Sequence, residues 1–208
     1  VRAAAKNFND VTVITDKNDY SVLEKELEKH GGRTSSKFRK KMASKAFGTT
    51  AYYDAVVAEW FNQKLNIKFP KLKTFFGEKM NELRYGENPH QNSSIYLSNL
   101  YDDSLDLEKI NGKELSYNNY NDIYAGLEIL FSDNKLPTTV IIKHANPCGV
   151  SSDKQALESF KKSRLSDPIS AFGGIVACNF KITNQIANEI NKTFFEVIMA
   201  KGFDASAL

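Results

Sequence analysis

Two basic side chains stand next to each other where an apolar run of the sequence ends. The β-branched residues of "TTVIIK" predict a buried strand, and Lys143 and His144 close it. Asn146, the proline after it and Gly149 follow at once and predict a sharp turn. Because open α/β sheets bind ligands at the carboxyl ends of their strands, we expect both basic groups to face a binding crevice.

A histidine and a lysine in such a crevice suit a reaction at a carbonyl group. The imidazole of His144 can accept a proton near neutral pH, and the ammonium of Lys143 can stabilise a developing oxyanion. In the alternative interpretation the lysine extends its charge into water and the histidine hydrogen-bonds a carbonyl group. The residue types alone leave both interpretations open.

The cysteine in "NPCGVS" invites comparison with zinc deaminases, which carry Pro-Cys-x-x-Cys after a strand and a His or Cys beside a glutamate upstream. Cys148 is followed by Gly-Val-Ser, so the second cysteine is missing, and no His-x-Glu precedes it. A single thiol provides too few ligands for zinc. The sequence therefore predicts no metal site at this turn.

Two further polar segments are candidates for ligand binding. In "LRYGENPHQ", Arg84 and Tyr85 suit a phosphate or a stacked ring, although a solvated loop fits equally well. In "SDPISAFGG", Gly173 and its neighbour allow backbone N–H groups to approach a ligand closely. This segment lacks the glycine spacing of phosphate-binding and dinucleotide-binding loops, so a tight turn is the alternative.

Composition places these residues in a globular protein. The 208 residues are 41% hydrophobic and 25% charged, with a net charge of +3. That charge does not indicate nucleic-acid binding, and the apolar runs are too short for a membrane span or a signal peptide. Two cysteines fit a reducing compartment. We therefore expect a cytoplasmic protein without nucleic-acid or membrane partners.

The first third of the chain predicts mainly helices. "VRAAAKN" is typical of a helix end with Asn7 as C-cap, Asp10 to Thr15 of a strand, and "DYSVLEKELEKHGG" of an amphipathic helix. Two more helices are expected after a cap at Thr34 or Ser35. Five apolar residues there have helical spacing and are expected to face a core: Tyr53, Val56, Val57, Trp60 and Phe61.

The remainder alternates strands and helices. Proline and glycine in "IKFPKLKTFFGEKMNELRYGENPHQNSS" predict a domain boundary, which we place between 1–70 and 71–208. A strand is expected at "SIYLSNL" and a helix from about Asp122 to Phe131, after an Asn-rich loop. After Phe131 we expect a strand at "TTVIIK", then a helix, a strand, a helix and a strand, in that order. This alternation indicates an α/β fold.

Five motifs in order, "LRYGENPHQ", "KELSYNN", "KHANPCG", "SDPISAFGG" and "FFEVIMAKGF", resemble the bifunctional AICAR transformylase/IMP cyclohydrolase family. "RAAAKNFNDVTVITDKNDY" and "KAFGTTAYYDAVVAEW" are similar to segments of its cyclohydrolase half. The resemblance implies that 1–70 is the C-terminal remnant of a Rossmann-like, methylglyoxal-synthase-like domain. It implies that 71–208 begins a cytidine-deaminase-like α/β transformylase domain.

The resemblance also implies an activity in purine biosynthesis. The transformylase half moves a formyl group from 10-formyltetrahydrofolate to the 5-amino group of AICAR, an aminoimidazole carboxamide nucleotide, without a metal, and the cyclohydrolase half closes the inosinate ring. Lys143 and His144 match the family's catalytic pair, and Lys6 matches a lysine of ring closure. The residues that match nucleotide-binding or site-shaping positions are Arg84, Tyr85, Asn119, Asn146, Gly173 and Glu196. Lys201 departs from the family, which has proline there.

Several expectations concern the rest of the enzyme. The chain begins with Val1 and stops before the family's folate-binding segments, so we expect an internal piece of a longer protein that is inactive alone. The resemblance implies a homodimer for the full-length protein. The alternatives are a non-catalytic nucleotide-binding or dimerisation module, suggested by the basic segment "KFRKKMASK", and an RNA-binding domain. The second alternative lacks exposed aromatic residues interleaved with the basic ones.

Overall fold

The computed structural model of the chain describes residues 1–98, 107–132 and 135–208. It is a mixed α/β structure that divides into two compact units. Of the described residues, 1–80 and 96–98 form the first unit, and 81–95, 107–132 and 135–208 form the second.

The first unit is built mainly from three helices: α1 (Arg2–Lys6), α2 (Tyr20–Lys29) and α3 (Ser36–Lys64). The predicted C-terminal end of α1 is confirmed, because Asn7 is its C-cap. The predicted start of α3 is confirmed too, because the Ser35 hydroxyl accepts a hydrogen bond from the Phe38 amide at 3.2 Å. The predicted helix α2 is also confirmed, and two glycines with positive φ end it. Alanines of α1 and α3 pack together in a small core.

Two predictions for the first unit are wrong. Residues Asp10 to Thr15 form no strand. A strand must pair with a neighbouring strand, and none of the described residues provides one for this segment, although its β-branched residues favour extended backbone. A single 29-residue helix, α3, replaces the two helices expected after Ser35. Gly48, in its interior, lowers helix propensity but does not end the helix.

The predicted core face of α3 is wrong for its aromatic residues. Tyr53, Trp60 and Phe61 are 66%, 47% and 52% exposed, whereas Val56 and Val57 are half-buried. The buried residues at this end of the helix are instead Ala55 and Glu59, and the Glu59 carboxylate forms an ion pair with a lysine at 2.9 Å. Helical spacing shows that side chains share a face, but it does not show that another element covers that face.

The other elements follow in chain order. They are β1 (Glu78–Glu82), β2 (Ser94–Leu97), α4 (Tyr117–Leu130), β3 (Thr138–Lys143), β4 (Asn146–Ser152), α5 (Ala156–Ser166), β5 (Ile175–Cys178), β6 (Lys181–Ile182), α6 (Asn184–Ile190), β7 (Val197–Met199) and β8 (Gly202–Phe203). β1 pairs with β2, and β6 pairs with β8. The strand predicted at "SIYLSNL" is confirmed as β2, and the last two residues of that prediction lie outside the described residues.

A four-stranded sheet with the order β4-β3-β5-β7 forms the centre of the second unit. β3 is antiparallel to both of its neighbours, and β5 is parallel to β7. Val140 and Ile142 of β3 pack under α4, whereas Ile141 joins the opposite core with residues of α5 and α6. The buried strand predicted from "TTVIIK" is thus confirmed, and apolar residues on both of its faces are explained by helices on both sides.

Helix α4 begins about five residues before the predicted position. Ser116 is its N-cap, and its hydroxyl accepts a hydrogen bond from the Asn119 amide. The Asn119 side chain accepts one from the Ser116 amide in return, which completes a capping box. The Asn-rich segment that suggested a loop is therefore the first turn of the helix.

Candidate functional site

The candidate residues of the second unit gather at one edge of the central sheet. Because β3 runs antiparallel to β5, the carboxyl end of β3 lies beside the amino end of β5. The amino end of β7 lies at the same edge, since β7 is parallel to β5. The two basic residues stand at the carboxyl end of β3, as expected. The edge differs from that of a parallel sheet, because it joins this one carboxyl end to the amino ends of β4, β5 and β7.

The turn that follows β3 consists of His144 and Ala145. Their φ angles are +54° and +58°, and positive φ at both central residues is the requirement of a type I′ hairpin turn. Asn146 and Gly149, which suggested the turn in the sequence, lie instead in the returning strand β4. The predicted turn begins two residues too late in the chain, because Asn, Pro and Gly are the usual turn residues, whereas alanine rarely adopts this backbone.

Lys143 does not simply extend into water. Its ammonium donates a hydrogen bond to the backbone carbonyl of Phe172 at 2.7 Å, which ties the end of β3 to the loop before β5. The Asp167 carboxylate begins that loop; hydrogen bonds from Ser170 chiefly lower its pKa, and the charge of Lys143 adds to the effect. Cys148 also lies in this environment, and burial is the main cause that raises the pKa of its thiol.

The imidazole of His144 is accessible. His144 is exposed, and none of the residues that the structure describes makes a hydrogen bond or ion pair with its ring. The turn around it is held through its backbone: the His144 carbonyl accepts a hydrogen bond from Asn146 Nδ2 at 2.8 Å, and the Ala145 amide donates to Asp122 Oδ1 at 2.6 Å. The ring can therefore meet a substrate while its backbone stays in place.

A second cluster of candidate residues surrounds Asn119. Asn119 Nδ2 donates to Glu196 Oε2 at 2.7 Å, and Asn119 Oδ1 accepts from Arg84 Nη2 at 3.3 Å. The Arg84 guanidinium also lies over the ring of Tyr85, 5.3 Å from its centroid. A buried amide thus joins a cation and a carboxylate that both reach the surface, an arrangement that suits a ligand with an anionic end and N–H donors.

Gly173 lies between these two groups of residues. Its φ of +74° requires glycine, although a side chain there would meet no atom within 4 Å. Its amide donates to the Phe194 carbonyl at 2.8 Å, and the Glu196 amide donates to the Gly174 carbonyl at 2.9 Å. The loop that Lys143 contacts is therefore bonded directly to the segment that carries Glu196.

Lys6 is the remaining candidate, and it lies in the first unit. It is an exposed residue in the last turn of α1. Two open surface depressions of about 520 and 620 Å³ also lie in this unit, and Lys6 is not among the residues that line them.

Sequence reasoning missed two residues of this edge, Asp122 and Phe172. Phe172 contributes a backbone carbonyl, for which side-chain identity gives no signal. Asp122 had a signal, because Asn119, Ile123 and Leu127 have the i, i+4, i+8 spacing of one helix face. With Ser116 as a cap, that spacing predicts a helix that includes Asp122 in its second turn.

None of the helices formed by the described residues is both long enough and apolar enough to cross a membrane. Within residues 1–98, 107–132 and 135–208, no group of three or more His, Cys, Asp or Glu side chains is placed to hold a metal ion.

Known proteins of one family are similar to this chain over nearly its whole length. The family model described as AICARFT/IMPCHase bienzyme matches residues 4–208. The bifunctional purine biosynthesis protein PurH of Rhizobium leguminosarum bv. trifolii (strain WSM2304) is 43% identical over 203 residues, which is 96% of this chain and 38% of that protein. The protein of the same name from Thermoanaerobacter sp. (strain X514) is 41% identical over 208 residues, which is 100% of this chain and 41% of the relative. The chain spans about two fifths of the length of these relatives.

Proposed function

Because the chain belongs to the AICARFT/IMPCHase bienzyme family, we propose that it serves purine biosynthesis as part of an enzyme that formylates AICAR and closes the product to inosinate. The observation that carries the proposal is the shared sheet edge: Lys143, which precedes His144, donates a hydrogen bond to the loop of Gly173, and that loop is bonded to the segment of Glu196. In this proposal 10-formyltetrahydrofolate is the formyl donor, and a metal takes no part in the transfer.

The pair at the end of β3 would carry out the transfer. The 5-amino nitrogen of AICAR attacks the formyl carbon, His144 accepts the proton that this nitrogen loses, and the carbonyl oxygen becomes an oxyanion. The bond from the formyl carbon to N10 of the folate then breaks, and N10 takes up a proton to give tetrahydrofolate. The amine is a weak nucleophile because its lone pair is delocalised, so proton removal by His144 is central to the step.

Lys143 is suited to stabilise the oxyanion. One of its three N–H donors is used by the Phe172 carbonyl, so two remain for a substrate oxygen. The bond to Phe172 also limits the positions that the ammonium can take. A preorganised donor of this kind stabilises the transition state because little reorganisation is needed during the reaction.

The Asn119 cluster would bind the nucleotide. Arg84 suits the phosphate and Tyr85 the base, while Glu196 keeps one carboxylate oxygen for N–H donors of the carboxamide. The amide of Gly173 is already bonded to Phe194, so we expect its carbonyl rather than its N–H to contact the nucleotide. Asn146 acts by holding the His144 carbonyl rather than by touching AICAR.

Ring closure is proposed for the first unit. Lys6 would act there as the family's ring-closing lysine, in a proposal that rests on the resemblance alone. We further infer that 1–70 is the remnant of a Rossmann-like domain, which rests on the resemblance alone. We also infer that 71–208 begins a cytidine-deaminase-like transformylase domain, supported by the mixed sheet between two helix layers. A cytoplasmic homodimer is the expected state of the full-length enzyme.

The test is formyl transfer in a full-length bienzyme that carries these 208 residues. We expect His144→Ala to lower kcat by roughly 10²–10⁴-fold, since general base catalysis is lost. Lys143→Ala should lower it by roughly 10²–10³-fold, as for the loss of an oxyanion donor. AICAR binding, measured by calorimetry, should persist in both variants.

Lys154→Ala is the matched control, because this exposed lysine follows the opposite end of β4, and its activity should equal that of the wild type. If turnover survives either substitution nearly intact, the role assigned to that residue is wrong. AICAR binding without any formyl transfer in the wild type would favour the non-catalytic nucleotide-binding module.

A further inference from the structure

The turn that carries His144 has a backbone that its residues disfavour. Both His144 and Ala145 lie in the left-handed region of φ, where a Cβ atom crowds the following carbonyl oxygen. Asn-Gly is the usual sequence for such a turn, because asparagine and glycine tolerate this conformation. His-Ala therefore needs contacts from outside the turn to remain in it.

These contacts converge on one peptide group. The peptide between His144 and Ala145 presents its carbonyl to Asn146 Nδ2 at 2.8 Å and its N–H to Asp122 Oδ1 at 2.6 Å. Rotation of this central peptide would convert the turn from type I′ to type II′ and would return Ala145 to negative φ. The two side chains oppose that rotation, and Asp122 is the one that comes from outside the hairpin.

Asp122 is held in a rigid position. It is half-buried on α4, and its neighbour Ile123 is packed in the core between α4 and the sheet. Asn119 lies one turn earlier on the same face of α4, where it bonds Glu196 and Arg84. One helix therefore holds both the turn of the proposed base and the proposed nucleotide-binding cluster.

We propose that Asp122 is a positioning residue for formyl transfer: it fixes the central peptide of the turn and thereby the location of the His144 imidazole. The inference rests on the proposed function of His144. Asp122 acts as a hydrogen-bond acceptor, so its charge is not required. It touches neither substrate.

Three variants of the full-length bienzyme test this role. Asp122→Ala removes the acceptor, Asp122→Asn keeps an oxygen acceptor without the charge, and Glu128→Ala removes an exposed carboxylate from the same helix as a control. Two readouts are needed: steady-state formyl transfer, and hydrogen–deuterium exchange of the peptide that contains the turn.

We expect Asp122→Ala to lower kcat by roughly tenfold to a hundredfold, because small misplacements of a reacting group have effects of this size. The KM for AICAR should stay within about twofold of the wild-type value. Exchange at the turn should be faster in this variant, whereas Asp122→Asn should restore most of the activity and the slow exchange. Glu128→Ala should behave as the wild type in both readouts.

Two results overturn the proposal: a kcat for Asp122→Ala close to that of the wild type, or an Asp122→Asn variant as slow as Asp122→Ala, which would show that the charge matters. His144→Ala is measured in the same assay. If that variant keeps full turnover, the proposed function itself fails. Exchange at the turn does not depend on the reaction, so it still decides whether Asp122 holds the turn.

Discussion

Substituting Gly149 with alanine tests how closely the hairpin of the candidate site packs against its supporting helix. Gly149 lies in β4, and its carbonyl accepts a hydrogen bond from Ser163 Oγ of α5 at 2.9 Å. A Cβ atom at this position would lie 1.9 Å from the backbone carbonyl oxygen of Ser163. Because that oxygen belongs to a helix backbone, the clash cannot be relieved by turning a side chain.

The size of the effect follows from this distance. Ordinary van der Waals contact begins at 3.4 Å, so β4 and α5 must separate by about 1.5 Å at this point. Overpacking a close-packed interior typically costs about 1–3 kcal/mol, and the loss of the buried Ser163 hydrogen bond adds about 1 kcal/mol. We therefore expect Gly149→Ala to lower the free energy of unfolding by about 3 kcal/mol.

The assay is urea unfolding of the 208-residue chain followed by circular dichroism, with formyl transfer in the full-length bienzyme as a second readout. Gly48→Ala is the control, because Gly48 lies inside α3 with open space around its Cα. That substitution should raise stability by about 0.5–1 kcal/mol, the helix preference of alanine over glycine. A shift of β4 should also move the His144 turn and lower kcat.

A loss of less than about 1 kcal/mol for Gly149→Ala would refute the reasoning. It would mean that α5 does not lie as close to β4 as described, or that the two elements separate freely. A large loss of stability with unchanged kcat would show that the packing of β4 against α5 supports folding but not formyl transfer. In that case the position of the turn would depend on its contacts with α4 rather than on α5.

Three further predictions concern buried groups. Asn119→Ala should lower the free energy of unfolding by about 2 kcal/mol in urea titrations, because the capping box is lost and the buried Ser116 amide loses its acceptor; a loss below 0.5 kcal/mol would contradict this. Burial raises the pKa of Cys178 from 9.0 to about 12, so the unfolded chain loses this proton first. The free energy of unfolding should therefore fall as pH rises from 9 towards 12, by up to about 1.4 kcal/mol per pH unit relative to Cys178→Ala. If the free energies of unfolding of the wild type and of Cys178→Ala change in parallel with pH, the prediction is contradicted. Iodoacetamide should modify the half-buried Cys148 before Cys178 in the native protein, with a rate that rises with pH because the thiolate is the nucleophile; mass spectrometry of the two peptides decides the order.

Local features of the sequence were enough to predict many elements of the fold. Five β-branched or apolar residues before Lys143 predicted a buried strand, and the structure confirms it. Ser35 predicted a helix start, because a hydroxyl in this position satisfies a free amide of the first turn. The ordered motifs also predicted the family, which comparison with relatives confirms.

Where prediction failed, the missing information was non-local. Asp10 to Thr15 has the composition of a strand, but pairing requires a partner, and composition does not supply one. The apolar face of α3 has helical spacing, but burial depends on what packs against it. Gly149 suggested a turn, whereas tertiary structure uses it in a strand that lies against α5.

The sequence by itself therefore determined the residue types of the candidate chemistry and the family to which they belong. Tertiary structure decided which backbone carries them: an antiparallel neighbour places the end of β3 beside the loop of Gly173, and α4 brings Asp122 to the His144 turn. The physical reason is the separation along the chain over which each effect acts. Propensity and spacing act over a few residues, whereas these contacts join atoms more than twenty residues apart in the chain.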